Sequence, residues 1–454
     1  MVLDNKKIWD KFKQDKFLII GFTEKTGLSA ALLFQEHKIP FAVSDIKAKD
    51  EIRPLLKKLP NNSIEVFSGE QTAAQLEGIT KILLSPGVPR SIPLIRAACQ
   101  KDIPVYSDID FIYNFISDKT VIGITGTDGK TTTTMLLGEM LRKKGPTCVA
   151  GNIGNAVLHE YRNMGSYDHV LLELSSYMLE DIKNFKPDYA AITNIAADHM
   201  DRYGSIDEYA KSKFNIVKYC TPEDVFIQNT DDEVLKSFAL QKARTVTVSQ
   251  TSTSADYYYT DGRFSLGSES LDYAECILKG RHNVENCLIA LAVAAEMGID
   301  AHDIFDTIRS FPGVAHRLEY VGDFSGITAY NDSKATTIHA VSRAVESFEA
   351  NIILILGGRD KGLDFSKLGV YTPRLKHLVC YGEAGEKIRR VMGFNPSEYT
   401  YAFSDAVERA VAQARSGDTI LLSPGCTSWD QFSSYEERGN EFKKIINAGL
   451  KNVS

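Results

Sequence analysis

Residues 120–145 read TVIGITGTDGKTTTTMLLGEMLRKKG, and this stretch decides the fold. Its first six residues are mostly apolar or β-branched, the pattern of a buried strand. Leu136, Leu137, Met140 and Leu141 then recur at helical spacing and give the second half one apolar face. The helix is predicted to start near Thr131, to end at Lys143 and Lys144, and to be capped by Gly145 in a left-handed conformation. Between strand and helix lie Gly126, Thr127, Asp128, Gly129, Lys130 and a run of threonines, Thr131, Thr132, Thr133 and Thr134. Glycines let backbone N–H groups approach an anion, the helix N-terminus adds a favourable dipole, and Lys130 adds charge. Thr131 falls where a phosphate loop carries its Mg²⁺-binding hydroxyl. The strict GxxxxGK pattern is broken, because Ile124 stands at its first glycine. A plain glycine-rich turn with a surface lysine is the weaker reading, given a strand before it and a helix after.

The same alternation of short apolar runs and helical patterns extends in both directions, the mark of parallel α/β architecture. Before the loop come FLIIGF (17–22), FAVSDI (41–46) and KILLSPGVP (81–89). After it come HVLLELSS, YAAITNIA, DVFIQNT and the helical HNVENCLIALAVAAEMG, then GITAYNDS, NIILILGG, HLVCYGE and TILLSPG. At roughly 150 residues per domain, 454 residues make about three domains. The divisions are expected near 1–107, 108–313 and 314–454, with FPGVAHRLEY (311–320) as a hinge.

Composition narrows the function. Hydrophobic residues make up 43% and charged residues 24%, with a net charge of −7 and no basic block, which disfavours nucleic acid as a partner. No apolar run approaches the roughly 20 residues of a membrane helix, and the charged start MVLDNKKIWDKF does not resemble a secretory signal. The seven cysteines are isolated, with no CxxC pair, and are expected to be buried thiols in a reducing cytoplasm.

Two more strands end in candidate metal ligands. Glu173 closes HVLLE, where parallel-sheet ligands collect, and a carboxylate suits Mg²⁺; a strand-end salt bridge is the alternative. Asp198 and His199 follow YAAITNIA, and His199 is either a site residue or a structural histidine. Ser205 and Glu208 predict a capped helix start at Ile206. Its inward stripe is Ile206, Tyr209, Ala210, Lys213, Ile216, Val217 and Cys220, so Lys213 points inward, as a site residue or by snorkelling. Lys361 and Ser428 follow NIILILGG and TILLSPG, again at strand C-terminal ends where ligands collect; for each a solvated loop residue is the alternative.

GITGTDGKTTT, GNIG (151–154), LELSSYMLE, NIAADHMDRY, YAKSK, HNVEN, HRLE, NDSKATT, GGRDKG and SPGCTSWDQFSSYEERGNEF occur in one order. In that order the chain resembles the Mur ligases of peptidoglycan synthesis over essentially its whole length. DHMDRY, the SPG at 85–87 and the WDQFSSYEERGNEF tail are most similar to the family's D-glutamate-adding branch. The resemblance implies three α/β domains: a Rossmann-like N-terminal domain, a central P-loop-type domain with a mostly parallel sheet, and a Rossmann-like C-terminal domain. It implies an ATP-dependent ligase, a monomer, that joins D-glutamate to UDP-N-acetylmuramoyl-L-alanine through an acyl phosphate. Lys130, Thr131 and Thr132 then match the ATP loop, with Gly126, Thr127, Asp128, Gly129 and Thr133 around them. Asn283, Asn286, Arg317 and Asp332 match residues around adenine and ribose. Two Mg²⁺ ions are implied, with Thr131, Glu173, His199 and Lys213 as ligands and Lys213 carried as a carbamate; Lys130, Glu173, His199 and Lys213 match the catalytic set. Asn152 and Ser175 match groups near the muramoyl substrate. Lys334, Thr336, Lys361, Ser428, Trp429 and Tyr435 match the D-glutamate side. Gly21, Thr23 and Asp45, with Ser85, Pro86 and Gly87, are expected at the uridine nucleotide. The chain departs from the family at Asp128, commonly Asn, at Met178, commonly Gln, and in GFTEKTG, which lacks the middle glycine. A sister ligase adding another amino acid, or a P-loop regulatory ATPase, is the alternative.

Overall fold

The computed structural model describes residues 5–61, 63–180, 182–237 and 242–450. The sequence becomes three sheets in succession. The first holds β1 (Phe17–Ile20), β2 (Phe41–Asp45), β3 (Glu65–Ser68), β4 (Lys81–Leu84) and β5 (Val105–Ser107), all parallel, in the order β3-β2-β1-β4-β5. β1 is buried along its whole length, which is why FLII carries no polar residue.

The second sheet holds β6 (Thr120–Thr125), β7 (Thr147–Gly151), β8 (His169–Glu173), β9 (Tyr189–Ile192), β10 (Val225–Asn229) and β11 (Arg244–Ser249), all parallel. Three short strands, β12 (Tyr257–Thr260), β13 (Arg263–Leu266) and β14 (Glu269–Asp272), extend it, β12 running parallel to β11 and antiparallel to β13. The order β14-β13-β12-β11-β10-β9-β6-β8-β7 puts β6 between two neighbours that follow it in sequence.

The third sheet holds β15 (Glu319–Phe324), β16 (Ile327–Asn331), β17 (Ile352–Gly357), β18 (Leu375–Tyr381), β19 (Ser397–Thr400) and β20 (Thr419–Gly425). Its order is β15-β16-β20-β17-β18-β19, parallel except for the antiparallel edge pair β15–β16. Three α/β sheets, each mostly parallel, thus match the expected fold class.

These elements pack as two compact units: residues 1–271 with 285–307, and residues 272–284 with 308–454. In the first unit, one apolar core serves both sheets, running from Trp9, Phe17 and Phe34 through Phe111 and Phe115 to Leu172 and Phe226. In the second unit, the sheet is covered on its two faces by separate clusters around Leu354 and Leu421 and around Ile355 and Ile420.

Two local expectations fail. Gly145 ends the helix Lys130–Lys144 with φ 172° and ψ 175°, an extended residue rather than a left-handed cap. Pro146 follows it, and a proline pushes the residue before it out of helical conformations, so the chain enters β7 directly. Cys99 is exposed while the other six cysteines are buried, all of them free. On the helix Pro93–Gln100 the buried residues are Leu94, Ile95 and Ala98, and Cys99 lies off that stripe.

Candidate active site

In a parallel sheet, ligands collect beyond the strand C-termini where the strand order reverses. Each of the three sheets has such a point, and each carries residues singled out from the sequence.

In the first sheet the point lies between β1 and β4. Gly21 follows β1 with φ 81°, and a Cβ there would meet Val88 Cγ2 at 2.6 Å. The Ser85 hydroxyl donates to the Gly21 carbonyl at 2.6 Å, which ties GFTEKTG to Ser85-Pro86-Gly87. Asp45, at the end of β2, accepts the N–H groups of Phe22 at 2.6 Å and Lys47 at 2.9 Å. A cavity of about 310 Å³ opens beside this loop, lined by Thr23, Thr26, Ser85 and Pro86 and, from the second sheet's side, by Asn152 and Met178. Asp108, read from the sequence only as a boundary, also lines it. It is 2% exposed, and burial pushes its carboxyl up to about 6. A carboxylate directly after a strand, as in VYSD, was the available signal.

In the second sheet the point lies at β6, and the phosphate loop occupies it. The helix starts at Lys130, one residue earlier than Thr131, with Gly129 in left-handed geometry at φ 79°. Asn194, after β9, accepts the Asp128 N–H at 2.9 Å, and the Thr193 hydroxyl donates to the Asp128 carbonyl at 2.6 Å. Thr133 is fully buried and donates to Asn286 Oδ1 at 3.3 Å. Lys130 Nζ donates to the carbonyls of Gly126 at 2.8 Å and Thr127 at 2.6 Å. Thr131 is buried and Thr132 partly so.

β8 runs beside β6, with Ile124 paired to Glu173. Glu173 is 1% exposed. Its Oε1 accepts from Asn152 Nδ2 at 2.8 Å, whereas its buried Oε2 has no hydrogen-bond partner in the protein. Asp128 Oδ2 is likewise buried without a partner. A carboxylate oxygen left so is costly unless a cation meets it, and oxygen donors suit a hard divalent ion. Among the described residues no group of three His, Cys, Asp or Glu could hold a metal alone. Any such ion therefore takes further ligands from phosphate and water, which is the usual habit of Mg²⁺. Ser175 caps the short helix Ser176–Leu179 through the Met178 N–H.

Lys213 lies where the stripe predicts, on the helix Ile206–Phe214, which Ser205 caps. It is 1% exposed, its Nζ donates to the Gly126 carbonyl at 2.6 Å, and it sits 4.5 Å from the Tyr209 ring centre. Burial first, then the neighbouring Lys130 charge, hold its pKa well below the ordinary lysine value, against Asp198 and Asp128. His199 takes a left-handed backbone, φ 55°, and its Nδ1 lies 2.8 Å from the Tyr177 hydroxyl.

In the third sheet the point lies between β20 and β17. The loops after them are stitched together by backbone bonds between Arg359 and Thr427. Lys361, exposed on the first loop, has its Nζ 5.3 Å from the ring centre of Trp429 on the second, beside buried Ser428. Trp429 is 59% exposed, too open for packing alone. Lys334 Nζ sits 5.1 Å from the Tyr435 ring centre, with Thr336 half-buried nearby in sequence. Asp332, after β16, accepts from the Ser423 hydroxyl at 2.8 Å and the Leu318 N–H at 3.1 Å, and burial pushes it up to about 7. Arg317 is exposed, and Asn283 Nδ2 donates to the Lys279 carbonyl at 2.7 Å. Sequence reasoning missed Arg438. Its fully buried guanidinium donates to the carbonyls of Ser333 and Cys426 and lies 3.1 Å from the Tyr381 hydroxyl, joining the loops that follow β16 and β20. Arg438, Phe442, Ile446 and Leu450 share one helical stripe, the signal that had exposed Lys213.

Fold and loop together define a P-loop-type α/β protein. The MurD-like N-terminal domain of Mur ligases matches residues 15–107, the Mur ligase middle domain residues 124–294, and the Mur ligase glutamate ligase domain residues 316–426. The UDP-N-acetylmuramoylalanine–D-glutamate ligase of Thermoanaerobacter pseudethanolicus is 34% identical over 450 residues, spanning 96% of this chain and 99% of its own. That of Streptococcus sanguinis is 36% identical over 438 residues, spanning 95% and 97%. The chain belongs to the Mur ligase family. Among solved structures, MurF from Acinetobacter baumannii aligns with a TM-score of 0.61 at 15% identity, covering 97% of this chain and 98% of its own. The UDP-N-acetylmuramate–alanine ligase of Thermotoga maritima aligns at 0.59 with 18% identity, covering 96% and 99%; both are likenesses of fold.

Proposed function

We propose that the chain is the ligase that adds D-glutamate to UDP-N-acetylmuramoyl-L-alanine in peptidoglycan synthesis, using ATP. The observation that carries this is identity of 34–36% with D-glutamate ligases along nearly the whole length of both partners. Residues 1–107 hold the uridine nucleotide, 108–313 the ATP phosphates, and 314–454 D-glutamate and part of ATP. The protein works as a monomer in the cytoplasm, where ATP is available, and no helix among the described residues is long and apolar enough to cross a membrane.

A carboxylate is a poor acyl donor, and phosphorylation gives it a leaving group. An alanine carboxylate oxygen forms a bond to the γ-phosphorus as the bond to ADP breaks. The D-glutamate amine, having lost a proton, then attacks the acyl carbon, and the tetrahedral adduct expels phosphate. The N–H groups of the loop 126–131 and Lys130 bind the phosphates and offset the charge that spreads over the transferring group. Lys130 would exchange its bonds to the Gly126 and Thr127 carbonyls for phosphate oxygens. Glu173, with its unpartnered Oε2, would hold Mg²⁺ together with Thr131; His199 and Lys213 would hold a second. Bound there, the ions neutralise phosphate charge. The lowered pKa of Lys213 leaves more of it as the neutral amine that adds CO₂, and the resulting carbamate presents oxygens in place of an ammonium. Asn283, Asn286, Arg317 and Asp332 take adenine and ribose; Asn152 and Ser175 take the muramoyl group. Lys334, Thr336, Lys361, Ser428, Trp429 and Tyr435 take D-glutamate.

The test is phosphate release with each component omitted, across a panel of amino acids. Release is expected only with ATP, the muramoyl-alanine nucleotide and D-glutamate together. Turnover with another amino acid would identify a sister ligase, and brisk turnover with ATP alone a regulatory ATPase.

A further inference from the structure

A histidine binds a cation through one ring nitrogen, and whatever bonds the other nitrogen decides which face it offers. In this chain the partner of His199 is Tyr177, whose hydroxyl lies 2.8 Å from Nδ1. Nε2 points the other way, 3.4 Å from Asp198 Oδ2. Tyr177 is itself held. The Arg202 guanidinium lies 4.4 Å from the centre of its ring, and the same guanidinium makes paired bonds to Glu180 at 2.7 and 2.6 Å. The Tyr203 ring stacks alongside at 6.2 Å and 10°. Planar stacking on guanidinium and ring leaves a tyrosine little freedom about its first torsions. The His199 backbone itself is left-handed, φ 55°, a region in which histidine is enriched among non-glycine residues.

We propose that Tyr177 is a positioning residue for His199: by engaging Nδ1 it leaves Nε2, on the Asp198 side, as the ring nitrogen open to a divalent cation. This rests on the reading of His199 as a cation ligand. A phenol both donates and accepts, so it can serve the ring in either neutral tautomer. When a cation occupies Nε2, the proton resides on Nδ1 and the Tyr177 oxygen accepts it. The nitrogen-to-oxygen bond then raises the basicity of Nε2 and fixes the plane of the ring. Without the hydroxyl, the half-exposed imidazole can turn over about its second torsion and offer either nitrogen.

The experiment compares the full-length protein with Tyr177→Phe. The substitution removes one oxygen and keeps the ring under Arg202, so melting temperature is expected to stay close to that of the parent. With ADP present at saturation, Mn²⁺ is titrated while the ¹⁵N signals of the His199 ring are followed. In the parent, Nε2 is expected to broaden far ahead of Nδ1. In Tyr177→Phe that selectivity should fall, and Mn²⁺ affinity should drop by roughly 10- to 100-fold, the usual cost of removing a partner of a ligating histidine. A general loosening of the fold would lower affinity without exchanging one nitrogen for the other. If Mn²⁺ broadens Nε2 selectively and binds equally well in both proteins, the positioning role of Tyr177 is overturned while the ligand reading stands. If neither His199 nitrogen broadens in the parent, and His199→Ala binds Mn²⁺ as the parent does, the ligand reading falls and takes this proposal with it.

Discussion

The most direct challenge to the phosphate loop is to fill the space its second glycine leaves open. Gly129 has φ 79°, and a Cβ built there would lie 2.0 Å from Asn286 Oδ1. An alanine therefore faces two penalties. The left-handed backbone costs it about 1 kcal/mol or somewhat more. The methyl group must also push Asn286 aside, and Asn286 is 2% exposed with its Oδ1 accepting from Thr133, so it has little room to move. Losing that buried hydrogen bond adds roughly 1 kcal/mol. The total, about 2–3 kcal/mol, should lower the melting temperature by roughly 3–5 °C in a unit of nearly 300 residues. Gly267→Ala is the control, because Gly267 has φ 60° with nothing within 4 Å of the added Cβ and meets only the backbone penalty. Differential scanning calorimetry and titration calorimetry with Mg²⁺–ADP read the two effects. Gly129→Ala is expected to be at least 1 kcal/mol less stable than Gly267→Ala and to bind nucleotide at least tenfold more weakly, while Gly267→Ala binds as the parent does. Two variants of equal stability and equal affinity would refute both the packing argument and the place of this loop at the phosphates.

Three further outcomes are expected. After equilibration with ¹³C-labelled bicarbonate, a carbamate carbon signal should appear, grow with pH as more of the Lys213 amine becomes neutral, and be missing in Lys213→Met; a signal that survives the substitution belongs to another amine. Lys361→Ala and Ser428→Ala should raise KM for D-glutamate with little change in kcat, since a contact felt equally in ground and transition states does only that; an effect on ATP alone would move both residues to the nucleotide side. Burial raises Asp332 from 3.8 to about 7, so the folded protein holds a proton that the unfolded chain releases between those values. Its share of stability is complete below about pH 4 and is lost as pH rises towards 7, by up to roughly 4 kcal/mol at 1.36 kcal/mol per pH unit. Asp332→Asn should flatten that part of the stability–pH curve, and an unchanged slope in urea titrations would mean the carboxylate stays ionised.

Much of this site was legible because strand ends are legible. Apolar runs such as HVLLE and NIILILGG stop at the residues that leave the sheet, and in a parallel sheet those residues face the ligand side. Lys213 was visible for a second reason, since a charge on an apolar helical stripe stands out against its neighbours. The same test applied to the last helix would have found Arg438. Strand order, however, is not written in any one segment. That β6 lies between β9 and β8, and β20 between β16 and β17, depends on pairings between residues far apart in the chain. Only that order sets the three loops at points where the strand order reverses. Gly145 departs from the left-handed geometry common to helix-ending glycines because the neighbouring Pro146 imposes an extended backbone.

The buried charges fall into two kinds, and the difference bears on what each is for. Arg438 is fully buried, yet carbonyl and hydroxyl oxygens of Ser333, Tyr381 and Cys426 receive its N–H groups. Asp110, also fully buried, accepts the N–H groups of Lys183, Asn184 and Phe185. Such groups are satisfied by the chain itself and hold loops together. Glu173 Oε2 and Asp128 Oδ2 are different, because folding buries each and supplies it no donor. Their positions are those that the proposed Mg²⁺–nucleotide site would use. Glu173 pairs across the sheet with the strand that leads into the phosphate loop, and Asp128 lies within that loop. An oxygen stripped of water and left without a proton donor is poorly placed in the protein alone and well placed beside a cation that arrives with a phosphate. Substituting Glu173→Gln should therefore raise the stability of the ligand-free protein or leave it unchanged while weakening Mg²⁺–nucleotide binding. A structural ion-pair role would instead make the same substitution destabilising in the absence of any ligand.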